Sequence, residues 1–280
     1  MGQTSTSSPV NPIRLWKDHV PSVDRHLPSW ARRSDPIVKR HLGIYWKILP
    51  LEIDLLARIY GVQVGIILAS ILIPIILPLT FTMLPVSIVM LPFIFMAYSR
   101  VLLNIGMFTT RMIVDEQENN TLSLLRTTPI PLWHILVSKA AAGVWRQVED
   151  LSLILMGVAL LSLPVIGLQY ATYWPLDEEL IFSRFSLVLG LATVIVRVVI
   201  EPFMIAAMAI LIGSIVPSRI PAITALTVTG FFYFLFINLP RLLIMAPAVR
   251  VLVEFIMPVI VPLVVIFVCF RLAHALLTRD

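Results

Sequence analysis

The sequence predicts an all-α integral membrane protein with six transmembrane helices, and three observations support this fold class. The 280 residues are 59% hydrophobic and only 13% charged, with a mean hydropathy of +0.95, whereas soluble domains carry about 25% charged residues. Several apolar runs reach the roughly 20 residues that a helix needs to cross a bilayer. The lysines and arginines are also shared unequally among the segments that join these runs.

The first 60 residues are polar and basic. Residues 1–13 are rich in Ser, Thr and Pro and are expected to form a disordered tail. Residues 14–60 mix tryptophans with lysines and arginines, as segments at a membrane interface do. Within them, apolar residues at helical spacing predict an amphipathic helix over about residues 50–60. We interpret this interfacial helix as a membrane-surface anchor in preference to a regulatory element.

The transmembrane domain is predicted to occupy residues 61–270. Its six spans comprise about residues 61–79, 85–107, 148–168, 185–215, 222–239 and 251–270. The fourth run is longer than one bilayer requires. The connection at residues 240–250 is apolar enough to dip into the membrane, and residues 271–280 form a short tail.

The positive charges predict the orientation of the chain. Six spans place both termini on one side of the membrane. With the N-terminus in the cytoplasm, the cytoplasmic segments hold sixteen of the 21 lysines and arginines and the outer segments hold three. This bias follows the positive-inside rule. We therefore predict a multi-pass protein of the plasma (inner) membrane with both termini cytoplasmic, and we expect residues 115–139 to face the cytoplasm.

Residues 115–139, DEQENNTLSLLRTTPIPLWHILVSK, are the longest polar interruption between spans, and we call them the elbow. The acidic residues at its start suit the positive end of a short helix that begins near Glu116. Pro129 and Pro131 are expected to stop that helix and to angle a second one that continues to Lys139. The first helix would lie along the membrane face with Leu122 and Leu125 on one side. An interfacial loop stabilised by its own leucines is the alternative.

Motifs typical of enzymes and cofactor-binding proteins do not occur in the sequence. GxxxxGK[ST], HExxH, CxxC and GxSxG are all missing, and the single cysteine leaves no disulfide or metal-binding pair. The chain is therefore predicted not to be an enzyme and to bind no metal or cofactor itself. The net charge of +5 arises mostly at membrane flanks, so no nucleic-acid partner is predicted.

Three charged residues lie within predicted spans. Arg197 and Glu201 are four residues apart and can pair on one helical face. A charge at mid-membrane costs a few kcal/mol, so such pairs face protein or water. A gating or substrate-path element and a structural clamp are equally compatible with this spacing. Arg100 lies about two turns from the cytoplasmic end of its span, and we interpret it as a side chain that snorkels to the interface.

The elbow resembles the loop between the second and third spans of ABC-2 type transporter permeases. The similarity rests on two spaced acids, Thr-Leu, a further Leu, Thr-Pro-Ile, then Trp, Ile and Lys. The residues that carry it are Glu116, Glu118, Thr121, Leu122, Leu125, Thr128, Pro129, Ile130, Trp133, Ile135 and Lys139. The motif covers about 25 residues, while the layout of helices agrees over most of residues 45–270. Asn120 departs from the family, which usually has Gly there, although Asn tolerates the left-handed backbone region.

The resemblance implies a function. In such permeases this loop contains a cytoplasmic coupling helix that docks on a separate ATPase subunit, which holds ATP and Mg and drives export. A second permease copy or homologue completes the membrane pore, and membrane lipid surrounds it. The resemblance assigns coupling to Glu116, Glu118, Thr121, Leu122, Leu125, Thr128, Pro129, Trp133 and Lys139.

Two other functions remain open at the level of sequence. The chain could be a non-transporting membrane scaffold that keeps the permease fold within a larger complex. It could also be an ion-coupled secondary transporter that uses Arg197 and Glu201, whose activity would survive depletion of ATP. An ATPase that co-purifies with the chain distinguishes the permease from both.

Overall fold

The computed structural model describes residues 26–43, 53–119, 121, 129–175 and 180–279. These residues form helices joined by short turns, with no strand among them. Six helical segments of this described part are long and apolar enough to cross a membrane. The chain is therefore an all-α protein with six candidate membrane spans, as its composition predicts.

We number the α-helices in chain order. They are α1 (Pro36–Leu42), α2 (Ile53–Leu72), α3 (Ile76–Thr80), α4 (Leu84–Glu118), α5 (Leu132–Trp145), α6 (Val148–Ala171), α7 (Leu180–Ile215), α8 (Arg219–Asn238), α9 (Pro247–Val251) and α10 (Met257–Arg279). Short 3-10 turns cover Ser29–Ala31, Phe81–Met83 and Leu239–Leu242, and a π-helical turn, Leu252–Ile256, joins α9 to α10.

The first span begins earlier than predicted. Residues 53–60, assigned from the sequence to a separate interfacial helix, are the first two turns of α2. The helical period of the apolar residues continues without a breaker into the span, so no boundary forms at residue 60. The helix ends at Leu72, close to Pro74, and residues 80–84, which lie between the first and second predicted spans, are helical. Residues 1–25 and 44–52 lie outside the described part.

Helix α4 corrects the prediction for the start of the elbow. It extends unbroken from Leu84 to Glu118, so the acids lie in its last turn and not at the beginning of a new helix. No Gly or Pro after Gly106 interrupts the helical period before the cap at Asn119. The negative end of a helix is an unfavourable place for carboxylates. Their position therefore requires cations from elsewhere in the fold.

Helix α5 begins immediately after Pro131 and contains Lys139, as predicted. Pro131 takes the extended backbone of a helix cap, which suits a residue without a backbone N–H. The stretch from Ile135 to Gly143 is buried throughout. Thus α5 is a packed internal element of the fold. Only two residues separate it from α6.

The central element is α7, a helix of 36 residues. It packs against α2, α4, α5, α6, α8 and α10. Its second half carries alanines and a glycine that allow neighbouring helices to approach closely. The helix begins at Leu180, so Arg184, which lies just before the fourth predicted span, is a buried residue of α7. Arg184 donates to the hydroxyl of Ser70 over 3.1 Å.

The last span also differs from its predicted bounds. Helical structure begins at Pro247 and continues through the π-helical turn to Arg279. The predicted connection at residues 240–250 is therefore partly helical, and the predicted tail is the end of α10. Pro247 starts this helix because its fixed φ suits a first turn.

Candidate functional site

A buried ion pair joins the two ends of the elbow. The Nζ atom of Lys139 on α5 contacts Oε2 of Glu116 on α4. The Lys139 side chain is 1% exposed and that of Glu116 is 14% exposed. Burial lowers the pKa of Lys139, whereas the Glu116 carboxylate and its hydrogen bond act in the opposite direction. Glu116 thus stabilises the charged form of Lys139 against the effect of burial.

The other acids at the end of α4 contact α8. Arg219 at the start of α8 lies 2.8 Å from Oδ1 of Asp115 and 3.8 Å from Oε2 of Glu118. All three side chains are about half exposed, so each contact contributes at most about 1 kcal/mol. Gln117 donates to the backbone carbonyl of Ser214 at the end of α7 over 3.2 Å. The end of α4 is therefore fastened to α5, α7 and α8.

A layer of N-terminal residues covers α5. Asp35 caps α1 through one carboxylate oxygen, and its other oxygen lies 2.9 Å from Nε2 of His134 on α5. The indole of Trp145 donates to the carbonyl of Ala31 over 2.8 Å. The guanidinium of Arg33 stacks over the Trp145 ring at 5.0 Å. The described part of the N-terminal segment therefore packs on α5. The sequence did not predict this packing.

The elbow residues that carry the resemblance differ in their exposure and in their contacts. Thr121 turns back on α4, where its backbone N–H donates to the carbonyl of Glu116 over 3.0 Å. Glu118 and Pro129 are exposed. Trp133 is 42% exposed, and its ring meets the edge of Phe270 on α10. Leu122, Leu125 and Thr128 lie outside the described residues, as does Asn120. The structure therefore brings Glu116, Thr121 and Lys139 close together.

A second polar cluster lies in the middle of the helical bundle. The expected pairing of Arg197 with Glu201 is present, with Nε and Nη2 each 2.8 Å from Oε1. Tyr98 on α4 donates to the other oxygen, Oε2, over 2.8 Å. Tyr233 on α8 donates more weakly to Oε1 over 3.4 Å. Glu201 is 1% exposed. One carboxylate thus joins α4, α7 and α8, which favours the structural clamp over the gate.

Arg100 stands apart from that cluster. Its side chain is exposed on α4 and borders a shallow apolar groove. No acid in the described residues forms an ion pair with it. Its predicted snorkelling remains a prediction.

Sequence reasoning missed a third cluster, near the opposite end of the bundle. Arg250 lies 2.7 Å from Oε1 of Glu254, and Arg241 lies 3.5 Å from Oε2. Gln169 on α6 donates to the same carboxylate over 2.9 Å. The Arg250–Glu254 spacing is the same four-residue signal that identified Arg197 with Glu201. It was overlooked because the predicted boundary assigned Arg250 to a loop and Glu254 to a span.

None of these clusters is arranged for metal binding. No group of three or more His, Cys, Asp and Glu side chains within the described ranges could hold a metal ion. No family model, curated protein or solved structure matches the chain. Fold and clusters together define a multi-pass membrane protein with six candidate spans, whose elbow is joined to the rest of the bundle by ion pairs.

Proposed function

We propose that the chain is the membrane-spanning permease subunit of an ABC-2 type exporter. The observation that carries the proposal is the contact between Glu116 and Lys139. These two residues lie near opposite ends of the resemblance and are 23 positions apart. Their ion pair holds the two ends of the elbow together, which gives the proposed docking element a defined base.

In this proposal, the elbow transmits movement from an ATPase subunit to the spans. Its exposed described residues, Glu118, Pro129 and Trp133, are available to a partner. Leu122, Leu125 and Thr128 are assigned to the same contact by resemblance. A displacement of the elbow would act on α4 through Glu116 and on α5 through Lys139. ATP and Mg would be bound by the ATPase and not by this chain.

The proposed assembly contains two permease subunits, identical or related, in the plasma (inner) membrane. Both termini and the elbow face the cytoplasm, as the distribution of lysines and arginines predicts. The first half of α4 supports a lipid- or subunit-facing role, since it exposes large apolar side chains such as Val89, Phe93 and Met96. Exposed phenylalanines of α8, such as Phe231 and Phe232, offer a similar surface to lipid or to a second copy.

The test is whether an ATPase subunit co-purifies with the tagged full-length chain from its native membrane. Leu125→Asp is expected to reduce ATPase association at least tenfold, because a charge would enter an apolar docking contact. Leu243→Asp is the matched control. Leu243 is an exposed leucine that the proposal places on the other side of the membrane. Equal ATPase recovery with both variants would remove the elbow from the contact.

A second result would overturn the whole proposal. If the native chain occurs only in a stoichiometric assembly without an ATPase, the scaffold function is favoured. If transport continues after ATP depletion, the ion-coupled transporter is favoured.

A further inference from the structure

A cavity of about 710 Å³ lies where α1, α4 and the turn between α5 and α6 meet. The described residues that line it include three arginines from three separate segments of the chain. They are Arg40 on α1, Arg111 on α4 and Arg146 after α5. Guanidinium groups that converge from different segments suit an anion with several oxygen atoms, because each can donate two parallel hydrogen bonds.

The two acidic residues that line this cavity are paired with cations from outside it. Asp115 is paired with Arg219, and Glu116 is paired with Lys139. Neither of those cations is among the lining residues. Within the described part of the chain, no carboxylate forms an ion pair with Arg40 or Arg111. Arg40 and Arg111 therefore contribute positive charge to the cavity.

Two further residues line the cavity. Arg146 places its guanidinium 4.2 Å over the ring of Phe108, which orients the group toward the cavity that it lines. His41 adds no charge at neutral pH, because burial, followed by Lys139 and Arg40, lowers its pKa to about 4.

The cavity continues into an apolar groove on α4. The groove has a volume of about 410 Å³, and its apolar walls are Phe95, Met96, Leu103 and Met107. Asn104 and Met107 line both spaces. A cavity lined by arginines that continues into an apolar groove suits a ligand with an anionic head and a hydrocarbon tail.

Taking Leu84, next to the start of the second predicted span, as the outer boundary, we infer that the junction of the two spaces lies at the inner membrane boundary. The helix starts at Leu84, and about 20 residues cross the 30 Å of hydrocarbon. Asn104 is the residue at which that distance is reached. The groove then lies at the depth of acyl chains and the cavity at the depth of phosphate groups. Arg100, on the groove, is within reach of the same phosphate layer by snorkelling.

We propose that this cavity and groove bind one anionic phospholipid, with the phosphate among Arg40, Arg111 and Arg146 and an acyl chain along α4. The proposal needs only a membrane around the six spans and does not rest on the proposed export function. A soluble phosphate-bearing ligand would also satisfy the arginines, but it would leave the apolar groove unused.

The experiment is a native mass spectrometry titration of the purified full-length chain in neutral detergent. The probes are dioleoyl phosphatidylglycerol, dioleoyl phosphatidylcholine with the same acyl chains, and inorganic phosphate. Phosphatidylglycerol is expected to bind about tenfold more tightly than phosphatidylcholine, and equimolar phosphate should not displace it. Equal affinity for the two lipids, or displacement by equimolar phosphate, overturns the proposal.

Variants locate the site. Arg111→Gln combined with Arg146→Gln is expected to weaken phosphatidylglycerol binding roughly tenfold, because charge-assisted hydrogen bonds are lost. Arg271→Gln is the matched control, since Arg271 also stacks on a phenylalanine but lies outside the cavity. Equal binding by the double variant and the control refutes the assignment.

An independent variant covers the case in which the double variant does not fold. Arg40 is exposed on the short helix α1, so Arg40→Gln leaves the bundle intact. It is expected to weaken binding roughly threefold, since one partly solvated cation is removed. Unchanged binding by Arg40→Gln would exclude α1 from the site and overturn the proposed three-arginine arrangement.

Discussion

Removal of one partner of the Glu116–Lys139 pair is expected to lower the free energy of unfolding more than removal of both. Glu116→Leu leaves the ammonium of Lys139 buried without its carboxylate, and we expect a loss of about 3–5 kcal/mol. Lys139→Met leaves Glu116 without its cation, but this carboxylate borders the water-accessible cavity. The loss of stability caused by Lys139→Met should therefore be smaller, about 1–2 kcal/mol. The double variant replaces the pair by apolar side chains and is expected to lie near the native stability.

The Glu116→Leu variant should also show a pH dependence of defined sign. Burial already lowers the pKa of Lys139, and loss of Glu116 removes the groups that oppose this shift. Unfolded Lys139 then binds more protons than folded Lys139 at alkaline pH. The free energy of unfolding of this variant should therefore rise, relative to the native chain, as the pH increases toward the unfolded pKa of about 10.4.

Unfolding in mixed detergent micelles, followed by tryptophan fluorescence, gives the free energies for all four proteins. The predicted order of stability is native and double variant, then Lys139→Met, then Glu116→Leu. The reasoning is refuted if the two single losses add in the double variant, or if Lys139→Met is the more damaging single change. Additive losses would mean that the two side chains do not interact.

Three further predictions use the same unfolding measurement. Tyr98→Phe is expected to lower the free energy of unfolding by about 1.5–3 kcal/mol and Tyr233→Phe by under about 1 kcal/mol. The reason is that only the Tyr98 hydroxyl lies at a normal hydrogen-bonding distance from the Glu201 carboxylate. Equal losses for the two variants would contradict this. His41, with its pKa lowered to about 4, should make the native chain lose stability as the pH falls from about 6.5 to 4, and His41→Gln should reduce that slope. Gly143→Ala is expected to cost about 1–3 kcal/mol, since its Cβ would collide with a threonine of α4, whereas Gly65→Ala meets open space and should be tolerated.

Composition and periodicity were sufficient to predict the fold class and the number of spans. Long apolar runs have few alternatives in a membrane, because every backbone group must bond within its own helix. The ends of the helices were predicted less well. At the end of α4, the expectation that acids begin a helix was reasonable from the helix dipole alone. It failed because Lys139 and Arg219, distant in the sequence, supply the compensating charge.

In the candidate site, too, contacts within one helix were predictable and contacts between distant parts of the sequence were not. The Arg197–Glu201 pair was predictable because both residues lie one turn apart on a single helix. The hydroxyl of Tyr98, which completes that cluster, comes from 103 residues away. No periodic pattern indicates such a contact. The packing of α1 on α5 through Asp35 and His134 was unpredictable for the same reason.

The two best-defined contacts of α4 have a geometric relation. Tyr98 and Glu116 are eighteen residues apart, which is five full turns of an α-helix. Both side chains therefore leave the helix in the same direction, about 27 Å apart along its axis. One is fastened to α7 and the other to α5. Rotation of α4 about its axis would therefore break the Tyr98 and Glu116 contacts together. This stretch of the helix is expected to rotate as a rigid unit.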